Sequence, residues 1–302
     1  MNFRDLDYIC AVAEHKHFGK ASLACNVSQP TLSGQIKKLE DRLGVILFER
    51  SHKGVRVTRI GEEIIAIAQE ALASANRIKS VASLAQNPYG GRLSLGLIPT
   101  IAPYLIPLFV KNIATNLPEL SVNYIEDITP RLTESLLTGE LDAALLATPP
   151  EEDMLTAIEI YSEPFWIVLP SGHALCTIEN PSMTEIDSDE LLLLTEGHCF
   201  RDQALSICKP AQSRRAHSLR ATGLETLINL VVAGQGVTLV PALAVGSGTL
   251  QQSGLTVSKL KDAGAARTIY MTFRKSFPQT MAVSALVKTI QAGLPKTVKV
   301  LS

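Results

Sequence analysis

Residues 26–43 run Asn26-Val27-Ser28-Gln29-Pro30-Thr31-Leu32-Ser33-Gly34-Gln35-Ile36-Lys37-Lys38-Leu39-Glu40-Asp41-Arg42-Leu43. Leu32, Ile36, Leu39 and Leu43 recur at steps of four, three and four, which places them on the buried face of an α-helix. Ser28 stands where its hydroxyl accepts from free N–H groups of the first turn, Pro30 is tolerated in that turn, and Gly44 ends the helix. The other face carries Gln29, Thr31, Ser33, Gln35 and Lys38. These are donors and acceptors suited to base edges and phosphates, or alternatively an ordinary solvated face. Gly34 costs about 1 kcal/mol of helix propensity against Ala and permits close approach to DNA or to another helix.

Upstream, Leu6, Ile9, Cys10 and Ala13 fall at helical spacing. A second short helix fits Gly19–Cys25, with Phe18, Ala21 and Ala24 turned inward, before a tight turn at Asn26-Val27-Ser28. Two short helices, a three-residue turn and a polar-faced helix describe a helix-turn-helix. Downstream, Leu47-Phe48-Glu49-Arg50 and Val55-Arg56-Val57-Thr58 alternate like a two-stranded wing with Lys53-Gly54 near its tip. Residues 1–60 hold ten bases and six acids, so their net charge of +4 leaves about −5 for the rest of a chain whose total is −1. An anionic partner at one end suits that split, as does a solvated charged face.

The 302 residues predict two domains, or a small module on a larger one. No apolar run reaches the ~18 residues of a transmembrane helix. Arg4, Asp5 and Asp7 interrupt any signal-peptide core in Met1–Cys10, so a soluble cytoplasmic protein without membrane contact is expected. The five cysteines lack regular spacing, and there is no CxxC, HExxH or Gly-rich phosphate loop, so neither metal nor cofactor is expected.

From Gly61 to Leu84 the chain is alanine-rich, and Ile64, Ala68, Ala71, Ala75, Ile78 and Ala82 form a heptad seam. The seam serves either a partner helix or packing on its own domain. Gln86-Asn87-Pro88-Tyr89-Gly90-Gly91 breaks it. Beyond residue 91 strands (93–97, 122–125, 143–146, 165–169, 191–194, 237–240, 269–273) alternate with helices (104–114, 131–138, 224–233, 280–291). That pattern implies α/β layers with mostly parallel sheets, in two lobes joined by crossovers near Glu163 and Arg267.

The run from His17-Phe18-Gly19-Lys20-Ala21 through Val27-Ser28-Gln29-Pro30-Thr31-Leu32-Ser33 to Leu39-Glu40, Leu43-Gly44 and Leu47-Phe48-Glu49-Arg50 resembles the LysR-type transcriptional regulators. The resemblance covers the whole N-terminal module. It implies a winged helix-turn-helix over 1–60, a dimerising linker helix over 61–86 and a regulatory domain over 87–302. That domain is a two-lobed α/β fold like a type 2 periplasmic binding protein, with lobe I at 91–162 and 268–302 and lobe II at 163–267. Double-stranded DNA is the implied partner, met by Gln29, Pro30, Thr31, Ser33, Gln35, Arg50 and Lys53, with a second copy of the chain and RNA polymerase as further partners. Small ligands in such a fold sit between the lobes, which by analogy alone suggests a metabolite sensor.

Glu196-Gly197-His198-Cys199-Phe200-Arg201-Asp202-Gln203-Ala204-Leu205-Ser206-Ile207-Cys208 changes that reading. It follows the apolar strand at 191–194, so Cys199 falls at a strand's C-terminal end, flanked by His198 and Arg201. A positive neighbour or a helix N-terminus favours thiolate, the form that attacks peroxide oxygen. A sulfenic acid results, which a second thiol turns into a disulfide, and Cys208 is the candidate. A helix from Phe200 to Cys208 would hold the sulfurs roughly 13 Å apart. A disulfide needs Cα atoms about 5.5–6 Å apart, so bond and helix cannot coexist. Two inert buried cysteines are the alternative.

Gly197-His198-Cys199, then Arg201-Asp202-Gln203 and Cys208, resembles the peroxide-sensing OxyR branch of the LysR family. The resemblance implies that hydrogen peroxide oxidises Cys199, that Cys208 is its disulfide partner, and that a thiol reductant resets the bond. It also implies that Thr100 and Thr129 position peroxide, with His198, Asp202 and Arg267 in support. Cys10, Cys25 and Cys176 read as structural. Two other functions fit parts of the sequence: a metabolite-sensing regulator of the same family, and a thiol peroxidase.

Overall fold

The computed structural model describes residues 1–51, 54–84, 87–187, 189–207, 220–246, 250, 254–262 and 264–301. The chain divides into two compact units, Met1–Ala82 and Ser83–Ser302. Among the described residues no helix is long and apolar enough to cross a membrane.

In the first unit, α1 (Phe3–His15) opens on a capping box in which Asn2 and Asp5 accept from each other's backbone N–H at 2.9 Å. Helices α2 (Phe18–Ala24) and α3 (Gln29–Leu43) follow, joined through Asn26 in the left-handed region at φ 54°. Leu32, Ile36 and Leu39 share one core with Leu6, Ile9, Val12 and Ala21. Leu43, expected inside, is 38% exposed. It is the last helical residue before Gly44 turns left-handed at φ 70°, and core burial on α3 ends at Leu39. Ala24 is exposed as well, and Ser22 is buried instead. The Ser22 hydroxyl is satisfied inside its own helix by donating to Gly19 O at 2.9 Å.

Strands β1 (Phe48–Ser51) and β2 (Gly54–Val57) form the antiparallel wing, with Phe48 opposite Val57. Glu40 buckles its base to α3, since one carboxylate oxygen accepts from Leu47 N at 2.7 Å and Phe48 N at 3.1 Å. Helix α4 (Arg59–Leu84) starts where Thr58 Oγ1 accepts from Gly61 N at 3.0 Å. The first half of the heptad seam is used differently from a partner-facing seam. Ile64, Ile65, Ala68, Ala71 and Leu72 lie on the unit's own core, the i, i+1, i+4, i+7, i+8 stripe of an amphipathic helix. Further along, Ile78 is 72% exposed.

The second unit is built on a mixed sheet. Strands β3 (Gly91–Leu97), β4 (Leu120–Glu126) and β5 (Ala143–Leu146) run parallel, with α5 (Ala102–Asn116) and α6 (Thr129–Thr138) as crossovers. Strand β6 runs unbroken from Leu155 to Leu169. Strand β7 (Leu193–Leu194) precedes α7 (Cys199–Ile207), and β8 (Arg220–Ala221) precedes α8 (Leu224–Val232). Then come β9 (Thr238–Pro241), α9 (Ala242–Val245), β10 (Thr256–Lys259), β11 (Ala266–Arg274), α10 (Thr280–Ala292) and β12 (Lys299–Val300).

The expectation of mostly parallel sheets is corrected. β11 pairs antiparallel with β5 and β6, and β9, β10 and β12 all pair antiparallel with β6. The physical reason is that two long strands, β6 and β11, pass between the lobes side by side and in opposite directions. In sequence, Ser162-Glu163-Pro164 reads as punctuation, which hides the first ten residues of β6. The last five, Phe165–Leu169, carry β9 and β10 in the second lobe. Within the ladder Glu163 lies directly opposite Arg267. The strand expected at 191–194 shortens to β7 plus one bridge from Leu191 to Val237.

Candidate functional site

Two sites are built here, one in each unit. In the first, Ser28 caps α3 by accepting from Thr31 N at 3.3 Å, and its hydroxyl meets that of Thr31 at 2.8 Å. Gln29, Pro30 and Thr31 are exposed on the opening turn, and Ser33 and Gln35 are half-buried one turn on. A Cβ built on Gly34 would meet nothing within 4 Å, so the helix surface there is open to a close neighbour. The helix N-terminus adds a partial positive charge to that exposed turn. Arg50 lies on β1 opposite Val55; its side chain, and Lys53, fall outside the described residues. His17 was not singled out in the sequence, yet its Nδ1 caps α2 by accepting from Gly19 N at 3.0 Å and Lys20 N at 3.3 Å.

In the second unit Cys199 is the first residue of α7 and is half-buried. A narrow pocket with about 170 Å³ of empty space is lined by Ile98, Pro99, Thr100, Ile128, Thr129, His198, Cys199 and Phe200. Its walls come from the loop after β3, the start of α6, and the start of α7. The sheet therefore brings Thr100, Thr129 and His198 around Cys199 from segments far apart in sequence. The Thr129 hydroxyl is buried there without a hydrogen-bond partner. Such a group costs free energy until something in the pocket bonds it.

His198 is buried, and burial holds its pKa below the usual imidazole value. Burial thus disfavours the charged imidazole, and Arg201 is the permanently charged neighbour of Cys199 in sequence. Asp202 is not brought into the pocket: its side chain is 75% exposed and pairs with Arg201 at 3.8 Å. The buried face of α7 is that of Phe200 and Ala204, and Asp202, two positions from each, falls opposite it. Arg267 does reach the site. Its Nη1 donates to Thr100 Oγ1 at 2.7 Å, and its guanidinium carbon sits 5.3 Å from the Phe200 ring centre. Cys208 lies outside the described residues.

Sequence reasoning missed three residues. Phe200 packs edge-on against Phe165 at 5.1 Å, Gln203 Nε2 donates to Ala147 O at 2.7 Å, and Glu163 pairs with Arg267. Only Phe200 and Gln203 carried a signal, by adjacency to Cys199. Among the described residues no group of three His, Cys, Asp or Glu could hold a metal ion.

Residues 3–62 match the bacterial regulatory helix-turn-helix protein family, lysR type, and residues 86–295 match the LysR substrate binding domain. A hydrogen peroxide-inducible genes activator of Haemophilus influenzae is 39% identical over 302 residues, covering 97% of this chain and all of the relative. The DNA-binding transcriptional dual regulator OxyR of Escherichia coli K12 is 38% identical, over 97% and 96% of the two chains. Full-length OxyR from Pseudomonas aeruginosa, in its C199D form, superposes with a TM-score of 0.76 at 35% identity, covering 100% and 98%. A cysteine-to-serine OxyR from Corynebacterium glutamicum with hydrogen peroxide bound gives 0.66 at 32% identity, covering 97% and 92%.

Proposed function

This chain belongs to the LysR family of bacterial transcriptional regulators, and from that premise we propose that it switches transcription in response to hydrogen peroxide. Peroxide oxidises the Cys199 thiolate to a sulfenic acid, Cys208 displaces water from it to form a disulfide, and a thiol reductant system restores the pair. Residues 1–60 bind double-stranded DNA, 61–86 link two copies of the chain, and 87–302 sense. Peroxide is consumed once per cycle as a signal and not turned over. The protein acts in the cytoplasm as a homodimer or homotetramer and contacts RNA polymerase.

The observation that carries the reading is the placement of Cys199 at a helix start in a pocket with Thr100 and Thr129. Its size argues against the metabolite-sensor alternative. Sites for ordinary small molecules span about 300–1,000 Å³, and this pocket has essentially no enclosed volume of that kind between its lining side chains. Helical geometry for α7 also supports a conformational change on oxidation. With Cys199–Ile207 wound as a helix, a bond to Cys208 requires that helix to unwind.

Peptide mapping after sub-stoichiometric peroxide tests it. A Cys199–Cys208 bridge is the expected product, with altered hydrogen exchange over 199–208. A dominant bridge through Cys176, or none under conditions that change transcription, overturns the reading. On the DNA side, Gln29→Ala or Ser33→Ala is expected to cost about 1–3 kcal/mol of specific operator binding and leave the salt dependence unchanged. Binding equal to the parent at several salt concentrations would show that another face of the unit reads DNA.

A further inference from the structure

We propose that Glu163 is a positioning residue for the oxidation of Cys199, fixing the Thr100 hydroxyl, through Arg267, as a hydrogen-bond donor into the pocket. The inference rests on the peroxide reading of that pocket. Glu163 and Arg267 face each other across the β6–β11 ladder, and both side chains are fully buried. One Glu163 oxygen accepts from Arg267 Nε at 2.8 Å and lies 2.7 Å from Nη2. The other accepts from Leu243 N, at the start of α9, at 3.2 Å. With both oxygens engaged from different elements, the carboxylate has one orientation, and so does the guanidinium it holds.

The free edge of that guanidinium meets Thr100, with Nη1 donating to Oγ1 at 2.7 Å and Nη2 donating to the carbonyl oxygen at 3.0 Å. An arginine N–H only donates. Thr100 Oγ1 is therefore the acceptor in that bond, and its own hydrogen has to point elsewhere. Thr100 and Cys199 line the same pocket, and no acceptor among the described residues takes that hydrogen. It is directed at whatever occupies the pocket.

The chemistry gives this direction its use. The thiolate sulfur attacks one oxygen of hydrogen peroxide, an S–O bond forms and the O–O bond breaks. The second oxygen leaves with the bonding pair as hydroxide and takes up the proton that the thiol lost, giving water and a sulfenic acid. Negative charge grows on the leaving oxygen in the transition state, where a pre-aimed O–H donor stabilises it without reorganising. Because Glu163 neutralises Arg267, the contribution of the pair is directional. Glutamine at 163 offers a single acceptor oxygen to two sets of donors, so Arg267 or Leu243 N loses its partner.

The test compares rates on the full-length reduced protein. Glu163→Gln is expected to slow oxidation of Cys199 by peroxide about tenfold, a modest fraction of what loss of a whole donor costs. Alkylation of Cys199 by iodoacetamide, which expels iodide and needs no such donor, should not slow, since the Arg267 charge that Gln leaves uncompensated can only favour the thiolate. Glu163→Asp, one methylene short, is expected to lose about threefold. Thr100→Val, which removes the donor itself, should cost more, about 10²-fold, and adding either Glu163 substitution to it should cost nothing more. Should the Gln variant fail to fold, the Asp variant with its Thr100→Val pair decides. Parental peroxide rates in the Glu163 variants, peroxide and iodoacetamide rates falling together, or losses that multiply in the double variants would each overturn the proposal. Failure of the parent itself to oxidise at Cys199 would refute the peroxide reading instead, and is seen before any variant is made.

Discussion

Serine at position 199 is expected to abolish peroxide-driven oxidation and the transcriptional response completely, with the fold and operator binding of the reduced protein retained. An alcohol holds almost no alkoxide at neutral pH, so it has nothing to attack the O–O bond with, however well the pocket positions peroxide. The exchange of sulfur for oxygen at a half-buried helix start is a small packing change. The DNA-binding unit has its own core and does not depend on it. Intact-mass measurement of the peroxide-treated variant, beside operator binding before treatment, checks both halves. The remaining thiols should not compensate. Cys176 donates to Pro170 O at 3.7 Å, and burial with the Asp7 carboxylate nearby pushes the Cys25 thiol pKa up, against thiolate. A variant that still gained oxygen or a bridge and still switched transcription would move the sensor away from Cys199.

Arg267→Met is expected to destabilise the second unit by about 3–5 kcal/mol, because it strands the Glu163 carboxylate in the interior without its cation. For a unit of this size that corresponds to a fall in Tm of about 6–20 °C. Trp166, the chain's single tryptophan, sits on β6 beside Phe165 and reports the transition by fluorescence. Converting the partner as well, in Glu163→Leu with Arg267→Met, should recover most of the loss, since an apolar pair of similar volume has no charge to desolvate. A single variant within about 1 kcal/mol of the parent would mean that the ion pair contributes orientation but little cohesion.

What the sequence determined by itself is local in origin. The α3 pattern, the Ser28 cap, the Asn26 turn and the wing alternation each depend on side chains a few residues apart, so they read directly from residues 1–60. The run from Gly197 to Gln203 likewise marked Cys199 before any fold was known. The expected heptad seam shows where such reading stops. Its spacing is identical whether the stripe faces a partner or its own unit, and only the tertiary core decided that Ile64, Ala68 and Ala71 go inward. Asp202 is exposed for a related reason: its place near the thiol in sequence does not say which face of α7 is buried, and the core takes the Phe200 and Ala204 face, opposite Asp202.

Glu163 was legible only as a lobe crossover, with no signal of a role in the site. Its partner Arg267 is 104 positions away, and the ladder that sets them opposite each other depends on β6 running straight through Ser162-Glu163-Pro164. A buried ion pair has no periodicity and no spacing. It exists only because sheet register brings two charges together where water cannot reach either, and that register is a property of the folded chain.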